Sequence, residues 1–172
     1  MDYGAGSDSV MLQWLWDTTG FTGKSGAGTE IQSGTVTAAA GNLIIPETGT
    51  QGSAYQIVDL DNDGVEEIVA FYNNKDNTFQ LGFLILDKIN DEYHLRNKEI
   101  MYGRGIHSFS TVDLDGNGSK ELLIGIRTGY GTQKELSVYQ MTPDDVIDIT
   151  QDEHLAYDQM NIAKTSTGEN VL

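Results

Sequence analysis

The feature that most limits what this chain can fold into is an internal repeat. Residues 57–69 read IVDLDNDGVEEIV and residues 111–123 read TVDLDGNGSKELL. Asp59 and Asp113 hold the same place in the two motifs, an offset of 54 residues. The phase continues on both sides. Ala54-Tyr55-Gln56 leads into the first motif as His107-Ser108-Phe109-Ser110 leads into the second. Ile68 to Phe71 and Leu122 to Ile126 follow them, and Leu81 to Leu86 corresponds to Leu136 to Tyr139. A repeat of this length is a supersecondary unit rather than a loop, and such units bury their apolar faces by stacking on one another. A weaker third copy follows. Tyr157 to Ala163 resembles a lead-in strand and Glu169 to Leu172 the run after the motif. Between them Lys164-Thr165-Ser166-Thr167-Gly168 keeps the glycine and lacks the acids.

Turn signals cut each unit into about four strands. In the first these are roughly 54–59, 67–72, 79–87 and 92–101, and in the second roughly 107–113, 121–127, 134–141 and 145–150. Thr142-Pro143-Asp144-Asp145 also fits a helix start, with Pro at the first helical position. Val146, Ile147 and Ile149 lack helical spacing, however, so a strand is expected there. Upstream, Gly34 to Ala39 and Asn42 to Ile45 read as the outer two strands of a preceding unit. Residues 1–29 form an N-terminal segment of uncertain structure. Four antiparallel strands every 40–55 residues or so are the blade of a β-propeller. The expected fold is therefore all-β, a partial β-propeller of about three four-stranded antiparallel blades over residues 30–172. Its units run from about 54 to 106 and from about 107 to 156, with a degenerate third from 157. The alternative is a two-repeat β-sandwich.

Charge and composition remove several functions. Ten Lys and Arg face 26 Asp and Glu, a formal charge of −16. That balance argues against nucleic-acid binding and against polybasic attachment to anionic lipid. Cysteine is absent, which excludes disulfides, zinc-thiolate sites and a Cys nucleophile. No apolar run approaches the roughly 20 residues of a membrane-spanning helix, and no transmembrane segment is expected. The first ten residues, MDYGAGSDSV, lack the basic and apolar regions of a signal peptide.

The acidity has a more specific reading. The spacing D-x-D-x-[DN]-G-x-x-E sets oxygen ligands at alternate positions of a tight loop. Calcium takes about six to eight oxygens and suits several short carboxylates converging from one segment. In the first loop the ligands are expected to be Asp59, Asp61, Asp63 and Glu67 with the carbonyl of Val65. In the second they are Asp113, Asp115, Asn117 and Glu121 with the carbonyl of Ser119. Gly64 and Gly118 stand where the chain reverses and a positive φ is needed. The alternative reading of one copy is an acidic Asx turn that binds nothing. Two copies in phase favour the cation, because clustered carboxylates repel without one. Carboxylate number ranks the first loop, with four, above the second, with three. A helical EF-hand is excluded: its loop needs a Glu at the twelfth position, where this chain has Ala70 and Ile124.

Both motifs resemble the FG-GAP/VCBS repeat, the calcium-loop blade of integrin α-like β-propellers. The resemblance covers about residues 30–172, and the two acidic motifs are its specific part. It implies metal ligands at Asp59, Asp61, Asp63 and Glu67 and at Asp113, Asp115, Asn117 and Glu121, with about two Ca2+ ions. No site is carried to the third copy, where Lys164 and Thr165 to Thr167 depart from the pattern. The resemblance further implies an extracellular or cell-surface home and an adhesion-type role as a binding scaffold. The expected partner is an unidentified protein or glycan, and open blade edges would favour self-association. The alternative function is part of, or an accessory to, a polysaccharide-degrading enzyme.

Other signals carry less. Gly20-Phe21-Thr22-Gly23-Lys24-Ser25 ends like a phosphate-binding loop, but Thr18 stands where that pattern needs Gly. His94, His107 and His154 have no partner spacing and read as strand-surface residues. No G-x-S-x-G motif occurs, so a Ser-His-Asp triad has no support and no catalytic residue is assigned. Tyr102 to Gly105 and Gly129 to Gly131 read as turns.

Overall fold

A computed structural model describes residues 23–24, 30–31, 41–74, 77–90, 92–129, 131–142, 145–151, 153 and 155–172. Among them every regular element is a strand, and all strand pairing is antiparallel apart from one isolated bridge. A short pair, β1 (Gly23–Lys24) and β2 (Glu30–Ile31), comes first. The first sheet contains β3 (Gly41–Leu43), β4 (Tyr55–Val58), β5 (Glu67–Asn74), β6 (Gln80–Ile89) and β7 (Glu92–Tyr102). The second contains β8 (Gly105–Val112), β9 (Glu121–Arg127), β10 (Lys134–Met141), β11 (Val146–Asp148) and β12 (Leu155–Ala156). A hairpin of β13 (Ala163–Lys164) and β14 (Asn170–Val171) follows.

The two large sheets are copies of one meander. In the first, β4, β5, β6 and β7 pair in chain order; in the second, β8, β9, β10 and β11 do the same. The acidic motifs are the turns between the first two strands, closing on the pairs Val58↔Glu67 and Val112↔Glu121. The fourth strand of the second sheet is broken. β11 and β12 lie along successive stretches of β10, where the single strand β7 lies along β6 with one register shift at Ile85/Leu86. Val146–Asp148 is a strand, as expected; Pro143 and Asp144 lie outside the described residues.

Asn42 to Ile45, expected as an outer strand of a preceding unit, belongs instead to the first sheet: β3 pairs with the end of β5, Leu43 opposite Tyr72. It continues the line of β4 after an excursion over residues 44–54. That excursion reaches the other sheet: the amides of Glu47 and Thr48 donate to the carbonyls of Ile106 and His107 at 3.1 and 2.9 Å. Sequence pattern cannot show which sheet a three-residue strand joins, because a short apolar run suits either. Gly34 to Ala39 lies outside the described residues.

Burial explains the continuous apolar runs. β5 is buried from Glu67 to Tyr72 and β9 from Glu121 to Ile126, on both faces. One face of each sheet meets the other sheet, joining Val69, Phe71, Leu81, Phe83 and Ile85 to Phe109, Leu122, Ile124, Ile126 and Tyr139. Phe71 meets Phe109 edge-on at 4.8 Å, and Phe83 meets Tyr139 at 4.9 Å. Each such pair adds roughly 0.5–1.5 kcal/mol to the area it buries. The far faces carry their own clusters, Ile68, Ala70, Tyr72, Leu84 and Leu86 on the first sheet and Val112, Leu123, Leu136 and Val138 on the second. A sheet apolar on both faces is built to be stacked on both.

Candidate metal centres

The first loop descends from β4 and returns into β5. Asn62 and Gly64 take positive φ angles of 62° and 86°, which bend the chain sharply enough to turn successive carboxylates inward. In the second loop the equivalent positions are Gly116 and Gly118, at 74° and 98°. The sequence reading singled out Gly64 and Gly118 and missed the other pair. The available signal was Asn and Gly in phase, the two residue types that best tolerate this conformation.

Three hydrogen bonds recur in both loops. The amide of Leu60 donates to Glu67 Oε2 at 2.7 Å, and that of Leu114 to Glu121 Oε2 at 2.7 Å. Gly64 donates to Asp59 Oδ2 at 3.1 Å, and Gly118 to Asp113 Oδ2 at 3.0 Å. Val65 donates to Asp63 Oδ1, and Ser119 to Asn117 Oδ1, both at 2.7 Å. Asp59, Asp61 and Glu67 thereby offer carboxylate oxygens within 4.8 Å of one another, and so do Asp113, Asp115 and Glu121. Asp63 stands outside the first acidic triad. Val65 and Ser119 enter these turns through their amides.

The donor set fits a hard cation. Glu67 and Glu121 are only 3% and 2% exposed. Asp59 Oδ1, Asp61 Oδ1 and Glu121 Oε1 are buried with no hydrogen-bonding partner among the described residues. A buried carboxylate oxygen without a partner is costly, and a cation is what would satisfy several at once. Burial pushes the Glu67 carboxyl up to about 7, opposed by the Leu60 amide and reinforced by the charges of Asp61, Asp87 and Asp63. Burial also raises Glu121 and Asp87 above the ordinary carboxylate range.

The loops differ in their surroundings, which sequence reasoning did not foresee. Arg96 on β7 donates to Asp61 Oδ2 at 3.0 Å, to Asp87 Oδ1 at 3.4 Å and to the Thr142 carbonyl at 2.7 Å. In the second loop Asp115 Oδ2 instead accepts the neutral amides of Asn117 and Gln140 at 2.9 and 3.0 Å. Arg96 offsets one of the first loop's four carboxylates, so carboxylate number alone no longer ranks the two. Its separation of 35 residues from Asp61 left no local signal.

Successive units also touch through these loops. Lys120 Nζ donates to the Asp59 carbonyl and the Lys120 amide to the Leu60 carbonyl, both at 2.7 Å. Asn170 Nδ2 in the final hairpin donates to the Asp113 carbonyl at 2.8 Å. The hairpin turn itself closes on Thr165 and Gly168, its hydroxyls standing where the other loops have acids. Tyr157 to Ile162, expected as a strand, instead crosses the far face of the second sheet. Its Tyr157 hydroxyl bonds Ser108 Oγ and His107 Nδ1, each at 2.8 Å. His107 is thus a packing partner. His154 lies outside the described residues, as does all of the phosphate-loop-like segment except Gly23 and Lys24. No helix among the described residues is long and apolar enough to cross a membrane.

No family model matches this chain, and no curated protein matches it. Among solved structures, a periplasmic inhibitor of I-type lysozyme from Aeromonas hydrophyla aligns with a TM-score of 0.44 at 12% identity, over 62% of this chain and 92% of that one. A likeness at that level carries no functional argument.

Proposed function

We propose that this chain is a calcium-binding interaction module, non-enzymatic, in which one Ca2+ at each acidic loop is structural. The observation that carries the reading is the recurrence, 54 residues apart, of one carboxylate arrangement with a buried glutamate in each copy and, among the described residues, buried carboxylate oxygens without a hydrogen-bonding partner. The ligands are Asp59, Asp61, Asp63, Glu67 and the Val65 carbonyl in the first loop. In the second they are Asp113, Asp115, Asn117, Glu121 and the Ser119 carbonyl. Each ion pins the turn between the first two strands of a unit and cancels local charge.

The architecture we infer is a run of propeller blades rather than a two-repeat sandwich. Supporting it, the contact from Lys120 to the Asp59 carbonyl recurs one step on, from Asn170 to the Asp113 carbonyl. A repeated step between successive units belongs to an array. Such modules act outside the cell on a protein or glycan, and open strand edges favour association with another chain.

Thermal melting in EDTA and in millimolar CaCl2 tests the structural role: calcium raises the melting temperature, and an unchanged value refutes it. Calorimetric titration of Asp61→Ala and Asp115→Ala should each remove one of two ions. Turnover in a glycan screen would replace the scaffold reading with an enzymatic one.

A further inference from the structure

The two acidic loops touch, and the hydrogen bonds between them come from Lys120. Resting on the cation reading above, we propose that Lys120 is a positioning residue that couples the two sites, so that filling either one raises the affinity of the other.

Lys120 precedes Glu121, the buried ligand of the second loop, and grips the first loop twice. Its amide holds the Leu60 carbonyl and its ammonium holds the Asp59 carbonyl, each at 2.7 Å. Asp59 is itself a ligand of the first site. Leu60 is fully buried, and its amide bonds the Glu67 carboxylate at 2.7 Å. A chain of short contacts therefore runs from Glu67 through Leu60 and Lys120 to Glu121. Gly118 of the second loop also lies close to the Asn62 side chain of the first. The second site is more than an acidic cluster. Glu121 is 2% exposed, and its Oε1 has no hydrogen-bonding partner among the described residues.

The sign of the coupling follows from ordering. A cation drawing Asp113, Asp115 and Glu121 together immobilises the end of the second loop and with it Lys120. The first loop then has less freedom left to lose when its own ion binds, which is positive cooperativity by shared ordering. Linkage makes the effect reciprocal. The ammonium charge by itself would act in the opposite sense, weakening the first site. Asn170 in the final hairpin makes the equivalent contact to the Asp113 carbonyl with a neutral amide, so the hydrogen bond between successive units does not require a charge.

The test is calorimetric titration of the full chain with CaCl2. Glu121→Gln reports the first loop alone and Glu67→Gln the second. The expected result is a wild-type overall binding constant about fivefold above the product of the two single-loop constants, at the lower end of usual coupling. In Lys120→Met that excess disappears. In Lys120→Gln, which keeps a donor, it is retained, and this separates positioning from general damage to the fold. Two ions binding wild type with no excess would overturn the coupling while leaving the cation sites intact. So would an excess that persists undiminished in Lys120→Met, which would place the coupling elsewhere than at Lys120. Absence of binding in wild type would overturn the cation reading and the coupling together.

Discussion

The buried Glu67 makes a sharp prediction about the protein without calcium. Its carboxyl is raised from 4.5 to about 7, first by burial and then by neighbouring negative charge. A group whose folded pKa lies above its unfolded value contributes stability that is complete below the unfolded pKa and lost as pH rises through the folded one. In EDTA, this group's contribution is therefore present near pH 4.5 and gone near pH 8. Moving a carboxyl from 4.5 to about 7 corresponds to roughly 3 kcal/mol. Glu67→Gln removes the charge and keeps an acceptor for the Leu60 amide. At pH 8 in EDTA the variant should be more stable than wild type by up to about 3 kcal/mol, or several degrees in melting temperature. Near pH 4.5 the two should converge. Adding calcium should reverse the order at pH 8, because only wild type retains the full ligand set. Urea denaturation at pH 4.5, 6.5 and 8, with EDTA and with calcium, measures all of this. A variant less stable than wild type at pH 8 in EDTA would refute the reasoning, as would equal stabilisation of both by calcium. Raised carboxyls at Glu121 and Glu99 add to the trend in both proteins, whereas Asp87, whose charge acts on Glu67, is eased in the variant and adds to its advantage at pH 8.

Two further predictions concern the fold. A Cβ at Gly125 would lie 1.8 Å from the Tyr157 hydroxyl and 2.3 Å from Ser108 Oγ, so Gly125→Ala should cost about 1–3 kcal/mol by overpacking. It should also expose the backbone around Tyr157 to rapid amide exchange, whereas Tyr157→Phe should cost about 1 kcal/mol. Phe71→Ala removes a fully buried ring between the two sheets and should cost about 3–5 kcal/mol. Denaturant titration that found the Phe71 site no more sensitive than an exposed one such as Phe79 would contradict the shared core.

Strand order along the two meanders was legible because the relevant signals are local. Continuous apolar, β-branched runs bounded by Asn, Asp and Gly turn residues decide where a strand begins and ends. Both acidic loops were legible for the same reason: within nine residues, side-chain chemistry and backbone reversal are set by the sequence itself. The edges were not. β3 looked like part of an earlier unit, and Tyr157 to Ile162 looked like a strand, because a short segment's pairing depends on which neighbour arrives. Arg96 was missed for a related reason. A guanidinium reaches its carboxylate through folding, with no trace in spacing.

By itself the sequence determined an all-β chain, a repeat of 54 residues and two acidic turns of one design. Only the tertiary structure decided what surrounds those turns. It brought Arg96 to one loop and Gln140 to the other, and it laid Lys120 of the second unit across the carbonyls of the first. The physical reason is range. Backbone conformation and burial pattern are written over a few neighbouring residues, whereas the electrostatics and hydrogen bonding of a site depend on groups that only packing between sheets brings within 3 Å.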